Sequence, residues 1–278
     1  MSEPLALASA LSYGVADFLG GMASKQRHVL RVVAIGHVVG LGVVLAVSVV
    51  AGGSPLASDL WWGAMIGMAG LMGLGFLYWS LAVGTMGVIA PVTAAVGAIV
   101  PVAVGFLLGE RPAPLAVVGV AIAGLAIVLV SSGDSTGWIE RPATARKALA
   151  GAGAAGVGFG LIFVFMAEVS SQAGMWPLVS ARLTSISLLV VFLLVLRPVP
   201  TPGGVGFSAA AGVLDMSGNM FVLTALDGGM LVVVSVLSAL YPAATVLLAR
   251  LFLSERLRFV QLIGIALAIA SIAMISIG

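Results

Sequence analysis

The sequence predicts an all-α polytopic membrane protein with ten transmembrane helices arranged as two inverted five-helix repeats. Three observations carry that prediction. Of 278 residues, 61% are hydrophobic and 8% are charged, where a water-soluble globule carries about a quarter charged residues. Apolar segments follow one another along the whole chain, divided by Gly, Pro and charge. The chain also matches itself when displaced by about half its length. A hydrocarbon core of about 30 Å takes about 20 apolar residues per helix, so this length holds about ten spans and no sizeable soluble domain. With no cysteine and two histidines, His28 and His37, the chain has no thiolate chemistry, no disulfides and no histidine-rich metal site.

The opening residues, MSEPLALASALSYGVADFLGG, lack a basic leader and a small-residue cleavage site. They read as a first membrane helix rather than a removed signal peptide. The spacing predicts spans from Leu5 to Met22, Leu30 to Ala51, Leu60 to Val83, Val88 to Leu108 and Leu115 to Ser132. A second set runs from Ala148 to Ala167, Pro177 to Leu196, Val205 to Leu226, Leu231 to Phe252 and Phe259 to Ile277. The longest polar connection falls halfway, at Gly133 to Lys147. The chain therefore divides into a first repeat over 1–134, a connecting loop over 135–147 and a second repeat over 148–278.

At an offset of 145, Gly109–Gly133 overlies Ser254–Gly278 with eight identities in 25 positions, among them Glu110/Glu255 and Arg111/Arg256. Gly and Ala supply part of this match, but a Glu-Arg pair recurring in a chain with ten acids is hard to reach by composition. Leu7, Ala8, Gly14 and Val15 overlie Leu149, Ala150, Gly156 and Val157. Five spans per half reverse the direction of the second half. Such inverted pairs are typical of secondary transporters, whose substrate site lies at the repeat interface near the midplane.

Two five-helix units closing their fourth spans with LLGERP (Leu107–Pro112) and FLSERL (Phe252–Leu257) resemble the EamA-type proteins of the drug/metabolite transporter superfamily. Leu240–Pro242, and the Arg-bearing span starts at Arg31 and Arg182, are similar to the same pattern. The resemblance covers the whole chain. It implies a ten-span carrier of small metabolites in a bacterial-type inner membrane, contacting lipid, with no cofactor, no nucleic acid and no obligate protein partner. The closest functional class is the YddG-type exporters of aromatic and other neutral amino acids. Two departures are Tyr13, where the first span commonly has Trp, and unequal spacing, Pro101 to Glu110 against Pro242 to Glu255.

The chemistry lies in polar side chains at membrane depth, which are costly there and mark functional sites by default. Tyr13 and Asp17 form an i,i+4 pair, as do Asp215 and Asn219. Tyr78 and Trp79 close span three, and adjacent positions point them to different faces. Arg182 lies in span seven, and Ser238 and Tyr241 lie in span nine. These are the candidate substrate contacts. Their bland readings are snorkelling or carbonyl pairing for Arg182, a water-facing helix mouth for Asp17, and belt packing for one of the aromatic pair. No Ser-His-Asp arrangement, HExxH helix or phosphate-cradling loop is present, so there is no metal or enzymatic constellation. Asp215 is the most pointed acid: at the local offset of 143 it falls on Met72, so the duplicated fold builds the same span without a carboxylate.

Pro101 and Pro242 lie inside corresponding spans, where each removes a backbone donor, and they are candidate gating hinges. Glu110 and Glu255 cap loops beside Arg111 and Arg256, and they read as structural hinges or ion pairs rather than substrate contacts. The spacings Gly36/Gly40, Gly105/Gly109 and Gly156/Gly160 read as close helix contacts. Trp61, Trp62, Trp138 and Trp176 lie at span ends as belt anchors. Together these predict export of small metabolites, foremost neutral or aromatic amino acids, by alternating access through a cavity between the repeats. The competing classes are a proton-coupled exporter of cationic drugs, resting on Asp17 or Asp215, and a membrane-embedded enzyme.

Loops after odd-numbered spans carry Lys25, Arg27, Arg31, Arg141, Arg146, Lys147, Arg197, Arg256 and Arg258, and the opposite side carries only Arg111. The positive-inside rule therefore puts both termini outside, whereas the resemblance implies both inside. The cysteine-free background makes the test direct. Ser2→Cys in intact cells is expected to react with a membrane-impermeant thiol reagent, and labelling only after lysis would reverse the orientation.

Overall fold

The computed structural model describes residues 1–24, 26, 28–83, 86–131, 142–196, 203–253 and 258–277. The chain is all-helical across them. The first half holds α1 (Ser2–Ser24), α2 (Val29–Ala51), α3 (Ala57–Val83), α4 (Met86–Leu107) and α5 (Pro114–Ser131). The second holds α6 (Pro142–Ala167), α7 (Trp176–Leu196), α8 (Val205–Leu226), α9 (Leu231–Ser238), α10 (Tyr241–Leu253) and α11 (Phe259–Ile277). Six of these are long and apolar enough to cross a membrane. Shorter apolar stretches at 92–107, 114–130, 231–245 and 259–275 complete a set of ten. The chain is a multi-pass membrane protein. Its polarity is inverted accordingly, with Ser9, Ser48, Ser208, Ser235 and Ser238 buried while Val49, Val50, Phe192, Leu194 and Val195 are exposed. Lipid is as apolar as those side chains and accepts them.

The spans alternate in direction, as their contacts show. α1 runs antiparallel to α8: Ser2 meets Gly229, Tyr13 meets Gly218 and Gly20 meets Ala211. α3 runs antiparallel to α6 in the same way, with Gly73 against Phe159 and Gly151 against Ser80. α2 runs parallel to α8, with Gly36 beside Gly212 and Gly40 beside Met216. α4 runs parallel to α6, Gly156 lying on Thr93 and Gly160 on Val100. Spans of like parity are thus parallel and spans of unlike parity antiparallel. The main contacts also exchange between halves, α1 with α8 mirrored by α6 with α3, and α2 with α8 mirrored by α7 with α3. This is the arrangement of two inverted five-helix repeats.

Glycine makes these seams possible. A Cβ at Gly156 would come 2.6 Å from Val96 Cβ and 2.7 Å from the Thr93 carbonyl, and one at Gly212 would collide with the backbone of Gly36. Two of the three predicted close-contact pairs, Gly36/Gly40 and Gly156/Gly160, serve this purpose. In the third, Gly105 does the same, a Cβ there coming 2.6 Å from Val232 Cγ2 of α9, while Gly109 ends its helix. Gly109 has φ +93°, and Glu110 N–H donates to the Gly105 carbonyl at 3.0 Å, which is the left-handed ending of a Schellman turn.

Two sequence expectations need correction here. α6 begins at Pro142 rather than Ala148. The two prolines also behave differently. Span nine breaks at Ala239–Leu240, directly before Pro242, whereas α4 continues through Pro101. In repeat register Pro242 falls on Gly97 and Pro101 on Val246, so the prolines sit a turn apart. One missing donor within a membrane helix is tolerated where neighbouring helices cover it. The break at span nine is braced by hydroxyls: Ser9 and Ser238 share a 2.7 Å hydrogen bond, and both reach the Ala6 carbonyl.

Gly212→Val is expected to lower the melting temperature in detergent, with a loss of about 1–3 kcal/mol as for an overpacked core. Gly206→Val, where a Cβ meets nothing within 4 Å, should leave it within error.

Candidate substrate site

Arg182 stands on α7 facing α8, where its guanidinium forms an ion pair with the Asp215 carboxylate. Small residues permit the placement. A Cβ on Gly40 of α2 would lie 3.4 Å from Arg182 Nε and 3.2 Å from the Gly212 carbonyl, so the arginine runs over a surface without side chains. Asn219, one turn along α8, donates to the Asp215 carbonyl at 2.7 Å and to its carboxylate at 3.4 Å. Arg182 is buried, its side chain 9% exposed, whereas that of Asp215 is 41% exposed. The pair therefore stands with the acid open and the base enclosed. Arg182 Nε is buried with no hydrogen-bond partner among the described residues.

The arginine is held from behind. Ser185 donates to the Arg182 carbonyl at 3.1 Å, and its oxygen lies 2.9 Å from His37 Nδ1. Sequence reasoning missed His37 in this role, although a histidine inside an otherwise apolar span was a signal.

The aromatic wall comes from α1 and α10. Tyr13 lays its ring on Gly218, where a Cβ would come 2.6 Å from Cε1, and meets Tyr241 edge-on at 6.4 Å and 77°. Gly14 sets this distance, since a Cβ there would come 2.8 Å from the Tyr241 carbonyl. Thr245 ties the two helices by donating to the Gly14 carbonyl at 3.1 Å. Asp17, one turn after Tyr13, lies within electrostatic reach of Asp215 and Tyr241. Its side chain is exposed. The structure thus brings together Tyr13, Asp17, Arg182, Asp215, Asn219 and Tyr241.

Other candidates lie elsewhere. Ser238 is buried and engaged with α1. Trp79 is exposed beside Gly151 on the opposite seam. The Tyr78 side chain, Glu255 and Arg256 lie outside the described residues. The predicted Glu110–Arg111 ion pair is not formed. Arg111 donates to the backbone carbonyls of Glu110 (2.9 Å) and Phe106 (3.3 Å). Glu110 instead crosses to the second repeat, where its carboxylate accepts the first N–H groups of α9, from Leu231 at 2.6 Å and Val232 at 2.8 Å. An acid at a helix N-terminus satisfies orphan donors and complements the dipole. A separate space of about 160 Å³, near Met166, Ser170, Leu223, Thr224 and Asp227, does not touch the polar cluster.

The comparisons agree with this architecture. The model of the EamA-like transporter family matches twice, over residues 1–132 and 146–277. A solved structure, described only as "Crystal structure of protein", is similar at a TM-score of 0.76 and 18% identity, covering 97% of this chain and 98% of its own. No curated protein matches.

Removing one member of an ion pair leaves the other without its counter-charge, at a cost that grows with how far that group is enclosed. Arg182→Gln alone is therefore expected to destabilise more than Arg182→Gln with Asp215→Asn. Strict additivity of the two substitutions in melting experiments would show the pair to be uncoupled.

Proposed function

We propose, from the premise that this chain belongs to the EamA-like transporter family, that it is an inner-membrane carrier exporting neutral and aromatic amino acids by alternating access. The family consists of membrane transporters of small molecules; the substrate, the direction and the mechanism are our reading. The observation that carries it is the half-open Arg182–Asp215 pair beside Tyr13 and Tyr241. A zwitterion replaces such a pair charge for charge. Its carboxylate takes the arginine, whose planar fork suits it, and its ammonium takes Asp215. Net charge in the span is unchanged, which matters where an uncompensated charge costs about 2.5–3.5 kcal/mol on insertion scales. The tyrosine rings receive the apolar side chain. The break between α9 and α10 supplies a hinge beside the site, as discontinuous helices do in carriers built from inverted repeats.

A second reading, proton-coupled export of organic cations, draws support from Asp17, which takes part in no hydrogen bond or ion pair among the described residues. The two readings separate in proteoliposomes. Counterflow is expected to exchange labelled neutral amino acids, and Arg182→Lys is expected to raise KM about tenfold or more, the loss of one bidentate contact. Uptake of tetraphenylphosphonium with no saturable exchange of any amino acid would replace the first reading with the second.

A further inference from the structure

We infer that Asp17 is the recognition site for a second ammonium group, so that this carrier accepts diamino monocarboxylic acids of net charge +1 as well as neutral amino acids. The inference rests on the amino-acid reading above and names a further substrate class for the same cleft. It begins with helix register. Along the antiparallel seam of α1 and α8, Ser2 meets Gly229, Tyr13 meets Gly218 and Gly20 meets Ala211. Asp17 and Asp215 therefore come level, one turn from the Tyr13–Gly218 contact on the same side, and within electrostatic reach of each other.

Charge balance does the rest. The cleft holds three charged groups, Arg182, Asp215 and Asp17. The first two neutralise each other, and Asp17 has no hydrogen-bond or ion-pair partner among the described residues. A neutral amino acid brings one charge of each sign and leaves the Asp17 carboxylate uncompensated at membrane depth, unless it carries a proton. A diamino acid brings three charges that match all three groups: carboxylate to Arg182, α-ammonium to Asp215, side-chain ammonium to Asp17. Tyr241 stands within electrostatic reach of Asp17, and with Tyr13 it offers the aromatic faces that favour an ammonium.

The other seam argues that folding does not require this acid. At the local offset of 142, which aligns Gly14 with Gly156, Asp17 falls on Phe159. Phe159 packs its ring on Gly73 of α3, where a Cβ would come 2.7 Å from Cδ1. The same position in the sister repeat is therefore a packing residue, and the carboxylate is an addition on one side only.

The test compares wild type, Asp17→Asn and Asp17→Glu in proteoliposomes, with counterflow of labelled lysine and phenylalanine measured side by side. Asp17→Asn should lower the ratio of lysine to phenylalanine exchange about tenfold or more, and Asp17→Glu should restore that ratio. An unchanged lysine-to-phenylalanine ratio in Asp17→Asn overturns the inference, as does equal loss of both in a variant that melts like wild type. If wild type exchanges no amino acid, the amino-acid reading falls, and the cation site is then read by melting temperature in the presence of 1,5-diaminopentane. Stabilisation of wild type but not of Asp17→Asn keeps Asp17 as an ammonium site; no difference between them overturns it.

Discussion

Close approach of helix backbones is the constraint on which the rest of this structure depends. In lipid there is no hydrophobic gain from bringing helices together, so association rests on intimate contact and on polar groups satisfied between helices. The chain meets that demand with glycine at the seams: Gly36 against Gly212, Gly156 against Thr93 and Val96, Gly14 against Tyr241 and Ala244. The polar site depends on the same contacts. Gly40 makes room for the arginine of α7 and Gly218 for the ring of Tyr13, so the residues that hold the bundle together also position the charges.

Duplication explains the scaffold, and divergence between the halves explains the site. Both seams of the pseudo-symmetric pair carry glycine at the crossing. One seam places Phe159 and Met72 where the other places Asp17 and Asp215. Both halves need close packing, but only one needs charge. One seam thus carries the ion pair and the Asp17 carboxylate, and the other carries apolar residues at the same positions.

Much of this was legible in the sequence. Hydropathy and glycine punctuation placed the spans to within about three residues except at the start of α6, and the displaced self-match gave the repeat, because both features are set by local composition. Asp215 stood out because its repeat partner is Met72. Less local facts were not legible. That Arg182 pairs with Asp215 depends on α7 and α8 facing each other across α2, and no spacing in the chain encodes that. The role of Glu110 was misread for the same reason: its neighbour in sequence is an arginine, but its partners are N–H groups 121 and 122 residues away. Pro101 and Pro242 looked equivalent because both lie in fourth spans, yet a one-turn difference in register separates a continuous helix from a broken one. His37 escaped notice because its partner, Ser185, is 148 residues distant.

The capping of α9 by Glu110 gives the molecule a mechanical detent. Every residue from Leu231 to Leu240 is buried, so α9 has no solvent to turn to when it moves, and two of its leading N–H groups are held by one carboxylate from the other half. Tilting α9 away from the α4–α5 corner strips both bonds at once and leaves two N–H groups of a buried helix without their acceptor, which is expensive. Small displacements are therefore resisted stiffly and larger ones yield abruptly. The catch lies at the corner of the bundle, on Glu110 and the start of α9, apart from the Arg182–Asp215 pair.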